Sequence, residues 1–260
     1  MFIEERHQAI LEKIAQNGSI TTGDIQENFG VSYDSAKRDL RILEEKGLLK
    51  RTHGGAISIR KIGWDGGCHD LSGKERVAGT IKENYLAIAK KAVSLIEPKD
   101  VVWITGASIG YLMAQNIPEN LNCTVVTNSM TTAEALRGRE HITVLMTGGE
   151  MNKNGSFYDG FAIDMINRLR FDKCFLTSAC ISSEFGLSIQ KSRNLELMKA
   201  IINSSKSIVG LYPTEKIGFD SIISICPADK LDLLITDWNA AEEDLRGFDE
   251  LGIEINIVEK

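Results

Sequence analysis

Asp34, Lys37, Arg38 and Arg41 are spaced so that a 3.6-residue repeat places all four on one side of a helix. Ala36, Leu40 and Leu43 fall on the other side, at intervals of four and three. The face so formed is cationic, and small hydroxyl groups at Ser32 and Ser35 flank its entry beside Tyr33. Such a face suits the major groove of double-stranded DNA. Phosphate walls take Lys and Arg, and base edges take short polar groups near the amino end of the helix. The expected DNA-contacting set is Thr21, Ser32, Tyr33, Asp34, Ser35, Lys37, Arg38, Arg41, Lys50, Arg51 and His53.

The elements that must hold this face are local and readable. Thr22 to Phe29 reads as a helix broken by Gly30. Ser32 stands where an N-cap belongs, and a second helix runs from about Tyr33 to Lys46, stopped by Gly47. Leu48–Thr52 and Ala56–Ile59 read as two strands around Gly54-Gly55, a pair that permits a tight hairpin turn. Lys50, Arg51 and His53 ride on that ribbon. An earlier helix, about Glu4 to Gln16, turns His7, Ile10, Leu11 and Ile14 inward, and Asn17-Gly18 closes it. His7 reads as a packed residue rather than a ligand. Ser19-Ile20 is placed as a short strand beside the ribbon. Together these make a winged helix-turn-helix.

Charge supports the assignment by its distribution. The 260 residues carry a net charge of −6, yet residues 32–61 hold eight Lys or Arg against four Asp or Glu. The positive field is gathered where phosphate would be met. No run of about eighteen apolar residues occurs and the amino end lacks an apolar stretch, so neither a membrane span nor a secretory leader is expected and the chain reads as cytoplasmic. Five dispersed cysteines, Cys68, Cys123, Cys174, Cys180 and Cys226, form no CxxC pair. No metal site, disulfide framework or cofactor is expected, and Cys123, Cys174 and Cys226 read as small core residues.

Residues 1–59 are therefore read as the DNA-binding domain and 60–74, rich in glycine, as a linker in which Trp64 could anchor against either domain. Residues 75–260 alternate helices with short apolar strands. Helices are expected at Arg76–Ile96, Ile109–Gln115, Met130–Arg137, Asp159–Leu169, Arg193–Ser204 and Ala240–Leu251. Strands are expected at Val101–Thr105, Cys123–Thr127, Ile142–Met146, Asp172–Ala179, Ser207–Tyr212, Leu231–Thr236 and Ile253–Val258. That pattern predicts a mostly parallel α/β sheet covered on both faces. Ligands of such sheets bind beyond the carboxyl ends of the strands. The loops there, Thr105-Gly106-Ala107-Ser108, Thr127-Asn128-Ser129 and Thr147-Gly148-Gly149, are small and hydroxyl-bearing. They suit backbone approach to a phosphate at Thr105, Gly106, Ala107, Ser108, Asn128, Gly148 and Gly149, although strand-ending turns use these residue types anyway.

Arg6 to Ala56 resembles the DNA-binding domain of the DeoR family of bacterial transcriptional regulators. The resemblance rests on RHQAILEKI (6–14), Ser32 with Arg38-Asp39-Leu40, LEEKGLL (43–49) and HGGA (53–56). VTNSM (126–130), TGG (147–149), Ser156-x-x-x-Gly160-x-Ala162 and FDKCFLTSACISSEFGLS (171–188) resemble that family's effector domain, which is similar in fold to ribose-5-phosphate isomerase. The resemblance implies a homo-oligomeric (dimeric or tetrameric) repressor of a carbohydrate operon, whose operator affinity responds to a small phosphorylated metabolite. It adds Lys216, followed by Ile217-Gly218, to the effector set. Relatives carry acids where Ile104 and Pro213 stand, Glu and Lys where Asn194 and Met198 stand, and Lys near Glu83 where this chain has Tyr85. The alternatives are a sugar-phosphate isomerase with a DNA-binding appendage, or a regulator with a vestigial pocket. Proton transfer at a sugar carbon needs a tuned carboxylate beside the phosphate loop. Ile104 removes one such candidate and Asn194 another, while Glu184 and Glu196 have no supporting motif.

Overall fold

A computed structural model describes residues 3–17, 19–45, 49–58 and 82–260. The expectations for Gly18, Gly47, Trp64, Cys68, the 60–74 linker and the first turns of the Arg76–Ile96 helix lie outside the described residues. The chain divides into two compact units, Met1–Cys68 and His69–Lys260.

In the first unit, α1 (Ile3–Asn17), β1 (Ser19–Thr21), α2 (Thr22–Phe29) and α3 (Tyr33–Glu45) precede the wing strands β2 (Leu49–Thr52) and β3 (Gly55–Ser58). Each helix has a local cause. Thr21 caps α2: its hydroxyl accepts from the Asp24 amide at 3.0 Å while the Asp24 carboxylate accepts from the Thr21 amide at 2.9 Å. Gly30 ends α2 in the left-handed conformation, at φ 62°. Ser32 caps α3, its Oγ accepting from the Ser35 amide at 3.3 Å. Ile10, Ile14, Ile25, Ala36, Leu40, Leu43, Leu49 and Ala56 close into one core. The wing is a three-stranded antiparallel sheet of order β1-β3-β2. Its turn has Gly54 at φ 103°, and the Gly54 carbonyl accepts from both the amide and the hydroxyl of Thr22, tying the wing to α2.

The second unit opens with α4 (Glu83–Val93). β4 (Val101–Ile104), α5 (Ser108–Asn116), β5 (Cys123–Thr127), α6 (Met130–Leu136) and β6 (Ile142–Met146) follow. Then come α7 (Gly160–Asn167), β7 (Phe171–Leu176), β8 (Cys180–Ser182), β9 (Gly186–Ile189), α8 (Leu195–Asn203) and β10 (Ser205–Leu211). β11 (Ile223–Cys226), β12 (Leu233–Asp237), α9 (Glu242–Glu250) and β13 (Glu254–Val258) complete it. Seven strands form one sheet of order β13-β12-β10-β7-β4-β5-β6, and every neighbouring pair is parallel. Successive side chains of β4 enter opposite cores. Val102 and Ile104 pack with Ile88, Val125, Phe175 and Ile235, while Trp103 packs with Val126, Phe171 and Leu176. Among the described residues, no helix is long and apolar enough to cross a membrane.

The sequence reading missed a second sheet. β8, β9 and β11 form an antiparallel three-stranded sheet of order β11-β9-β8. The strand expected to run to Ala179 stops at Leu176, and the chain turns back through β8 and β9 about Gly186 at φ 78°. Three- and four-residue strands separated by a short turn leave too little periodicity to detect.

Candidate nucleic-acid interface and effector site

α3 carries the first candidate site. Ala36, Leu40 and Leu43 are buried, whereas Tyr33, Asp34, Lys37, Arg38 and Arg41 are exposed. Lys37 Nζ sits over the Tyr33 ring, 4.6 Å from its centroid. Arg41 Nε lies 3.7 Å from Glu45 Oε1, a helical pair of the solvent-exposed kind. Arg38 makes no ion pair among the described residues. On the wing, Lys50, Arg51 and His53 are exposed. The Arg51 amide donates to Glu44 Oε1 at 2.8 Å, which joins α3 to the wing. Of the expected contacts, the Thr21 hydroxyl is committed to Asp24 and the Ser32 hydroxyl to capping α3; the two position the motif.

The sequence reading assigned Asp39 no role. Its carboxylate is 3% exposed and accepts from Arg6 Nε at 2.7 Å, Arg6 Nη2 at 3.1 Å and His7 Nε2 at 3.1 Å. The Asp39 carboxylate raises the pKa of the Arg6 guanidinium, which stays charged. This buried contact fastens α1 to the inner side of α3, one residue from Arg38. A buried ion pair adds little net stability, but removing one partner strands the other charge.

The second unit has its topological switch at β4. The chain runs outward through β5 and β6 on one side, and through β7, β10, β12 and β13 on the other. The crevice therefore lies at the carboxyl ends of β4 and β7. The Thr105 amide donates to the Phe175 carbonyl at 3.1 Å, closing the β4 end against β7. Ala107 occupies the N-cap of α5 and offers no side-chain cap. The first amides of α5 are thus left for a ligand or solvent, with the positive end of the helix dipole behind them. Ser129 and Asp159 cap α6 and α7 with their own side chains, whereas α4, α8 and α9 lack a side-chain cap as α5 does. Gly110 packs α5 directly onto the Thr105 carbonyl, where a Cβ would collide.

The structure sets Gly106 against Asn128 and Ser129, while Lys216 lies past the end of β7, the strand next to β4. A Cβ on Gly106 would stand 2.8 Å from Ser129 Cβ and 3.4 Å from Asn128 Oδ1. Packing against the Asn128-Ser129 turn after β5 thus already requires a small residue here without a phosphate. Asn128 is buried and donates to the Phe157 carbonyl at 3.0 Å, so its amide side chain is structural. Lys216 Nζ lies 3.0 Å from the Ser178 carbonyl and 3.4 Å from Thr177 Oγ1, just past β7. Gly148 and Gly149 follow β6, two strands from β4 and so roughly 10 Å away. Asp159 organises them, accepting from the Glu150 amide and packing on Gly149. They stand apart from the β4–β7 crevice.

A polar set that the sequence did not disclose lies at the carboxyl end of β12, two strands from β7. The buried Asp237 carboxylate accepts from the Thr214 amide and hydroxyl, both at 2.8 Å, from Asn84 Nδ2 at 3.1 Å and from the Asn239 amide at 3.1 Å. Burial alone raises its pKa, but these hydrogen bonds outweigh burial and hold it below the ordinary carboxylate value. Glu215 takes Lys82 Nζ at 2.8 Å and Asn84. Ser178 Oγ meets the Tyr212 hydroxyl at 2.7 Å inside the core, where desolvation pushes the phenol upward. The hydroxyl run Thr177-Ser178 after an apolar strand was the available signal. Cys174 is likewise a core thiol, pushed up to about 12 by burial, and Cys226 to about 11.

With this geometry in view, comparison with known proteins finds two family profiles. The DeoR-like helix-turn-helix domain matches residues 6–61, and the DeoR C terminal sensor domain matches residues 82–238. The HTH-type transcriptional repressor GlcR of Bacillus subtilis (strain 168) is 32% identical over 266 residues, covering 100% of this chain and 98% of that one. The lactose phosphotransferase system repressor of Staphylococcus aureus (strain NCTC 8325 / PS 47) is 29% identical over 242 residues, covering 92% and 94%. Among solved structures, ribose 5-phosphate isomerase A of Methanocaldococcus jannaschii aligns with 53% of each chain at 15% identity and a TM-score of 0.37.

Proposed function

Because this chain belongs to the DeoR family of transcriptional regulators, we propose that it is a sequence-specific repressor of a carbohydrate-metabolism operon. Residues 1–59 bind double-stranded operator DNA, 60–74 connect, and 75–260 sense an effector and mediate self-association as a dimer or tetramer. Tyr33, Asp34, Ser35, Lys37, Arg38 and Arg41 face the groove, and Lys50, Arg51 and His53 face its phosphate walls. Thr21 and Ser32 place the helices through their caps. The observation that carries this reading is the exposed cationic face of α3 over a fully buried apolar back. Names of relatives such as the lactose phosphotransferase system repressor motivate the carbohydrate assignment.

For the effector, a phosphorylated sugar or related metabolite fits the uncapped amino end of α5, with Thr105, Gly106, Ala107 and Ser108 forming the loop, Asn128 bracing it and Lys216 supplying a cation. Gly148 and Gly149, two strands away, lie outside this site. An isomerase would need a carboxylate base beside the phosphate loop; the alkyl side chain of Ile104 cannot serve as one, and the Asp237 carboxylate already accepts four hydrogen bonds. Isothermal titration with a panel of sugar phosphates, followed by operator release, tests the sensing role. Lys216→Ala is expected to weaken binding of the active compound at least ~10-fold, as expected for loss of a charge-assisted hydrogen bond. An active compound that binds and releases Lys216→Ala like the wild type would place the anion elsewhere.

A further inference from the structure

α3 presents an acid, Asp34, among its cations. Lys37 is held over the Tyr33 ring and Arg41 lies toward Glu45. Asp34 and Arg38, both exposed, make no ion pair with each other or with any other described residue. They stand four residues apart, hence one turn along the same side. Asp34 occupies the first turn, where a recognition helix lies nearest the base edges. A bare carboxylate between walls of phosphate is unfavourable unless it receives a hydrogen bond there. The base-edge donors of the major groove are the amino groups of cytosine and adenine. Adenine sets its N7 acceptor beside that donor, which suits an amide and repels a carboxylate. Cytosine offers the donor without that acceptor, and its partner guanine presents O6 and N7, the acceptors an arginine fork takes.

We propose that Asp34 and Arg38 together read a C·G pair, or two adjacent pairs of that composition, in each half-site of the operator: Asp34 accepts from cytosine N4, and Arg38 donates to guanine O6 and N7. This rests on α3 lying in the major groove. Tyr33 serves the pair by holding the Lys37 ammonium over its ring.

The test is selection of binding sequences from a randomised duplex pool by the full-length chain and its variants, with thermal melting as a control for folding. The wild type is expected to select a consensus with a C·G pair in each half-site. Asp34→Ala should reduce the preference for cytosine at one position by ~10-fold or more, and Arg38→Ala the preference for guanine at the same or the neighbouring pair. Asp34→Asn should shift that position toward adenine, because an amide matches N6 and N7. Unchanged base preference in Asp34→Ala, with either tighter binding to every sequence or merely a lower melting temperature, would show that the acid only repels phosphate or stabilises the helix end. That outcome overturns the proposal and leaves DNA recognition standing. A wild-type chain that selects no consensus overturns both.

Discussion

Replacing Asp39 with alanine should loosen α3 from within. The carboxylate holds three hydrogen bonds, two from Arg6 and one from His7, and the Arg6 side chain is only 11% exposed. Its loss leaves a largely buried guanidinium without its acceptor. Breaking such a pair costs about 3–5 kcal/mol, and the lower end applies because Arg6 keeps one edge in solvent. A loss of about 3 kcal/mol is roughly a 100-fold larger open population, so the amides of α1 and α3 should exchange with solvent ~100-fold faster. Hydrogen exchange followed by mass spectrometry in the full-length chain reads this directly, peptide by peptide, with the second unit as internal reference. The paired change Arg6→Met with Asp39→Leu replaces both charges with apolar groups and should bring exchange back to within about tenfold of wild type. Exchange of α1 and α3 in Asp39→Ala within threefold of wild type would refute the reasoning.

Gly106→Ala places a methyl 2.8 Å from Ser129 Cβ and should destabilise the second unit by about 1–3 kcal/mol, whereas Gly148→Ala points into open space and should melt within about 0.5 kcal/mol of wild type. Equal melting of the two variants would show that the β4–β5 contact is slack. The depressed pKa of Asp237 means that its contribution to stability is present above the ordinary aspartate value of 3.8 and is lost as pH falls through its lower folded value. Asp237→Asn should therefore lower stability at neutral pH and flatten the acid decline below about pH 4, as seen in urea titrations at stepped pH. The wing strut predicts that Glu44→Ala, which removes the acceptor of the Arg51 amide, raises hydrogen exchange in β2 while leaving that of α1 unaltered.

What the sequence disclosed and what it withheld differ by distance along the chain. The cap at Ser32, the stripe of Ala36, Leu40 and Leu43 and the stop at Gly30 are all signals within one turn of the element they define, and each is in place; the wing turn expected at Gly54-Gly55 falls one residue earlier, at His53-Gly54, with Gly55 already paired in β3 opposite Thr52. The parallel strands were legible as apolar runs because both faces of the sheet are covered. Contacts between distant residues were not legible. Asp39 lies 33 positions from Arg6, and Asn84 lies 153 from Asp237; no periodicity connects such partners. Gly106 carries two demands. A glycine in a strand-ending loop reads as room for a phosphate, and its close contact with Ser129 requires a glycine as well, a fact visible only once β4 and β5 are paired. Gly148 and Gly149 end a strand of the same sheet and so are expected at the β4 crevice, but the strand order sets β6 two strands from β4.

The central claim is that the outward face of α3 reads DNA sequence while the wing holds phosphate. The most direct measurement compares wild type, Arg38→Ala and Arg51→Ala on an operator duplex and a scrambled duplex at one salt concentration. Arg38→Ala should lower the ratio of operator to scrambled affinity by ~5–100-fold, the value of a bidentate base contact, while Arg51→Ala should weaken both duplexes by similar factors. An Arg38→Ala protein with wild-type affinity and a wild-type ratio would contradict the account.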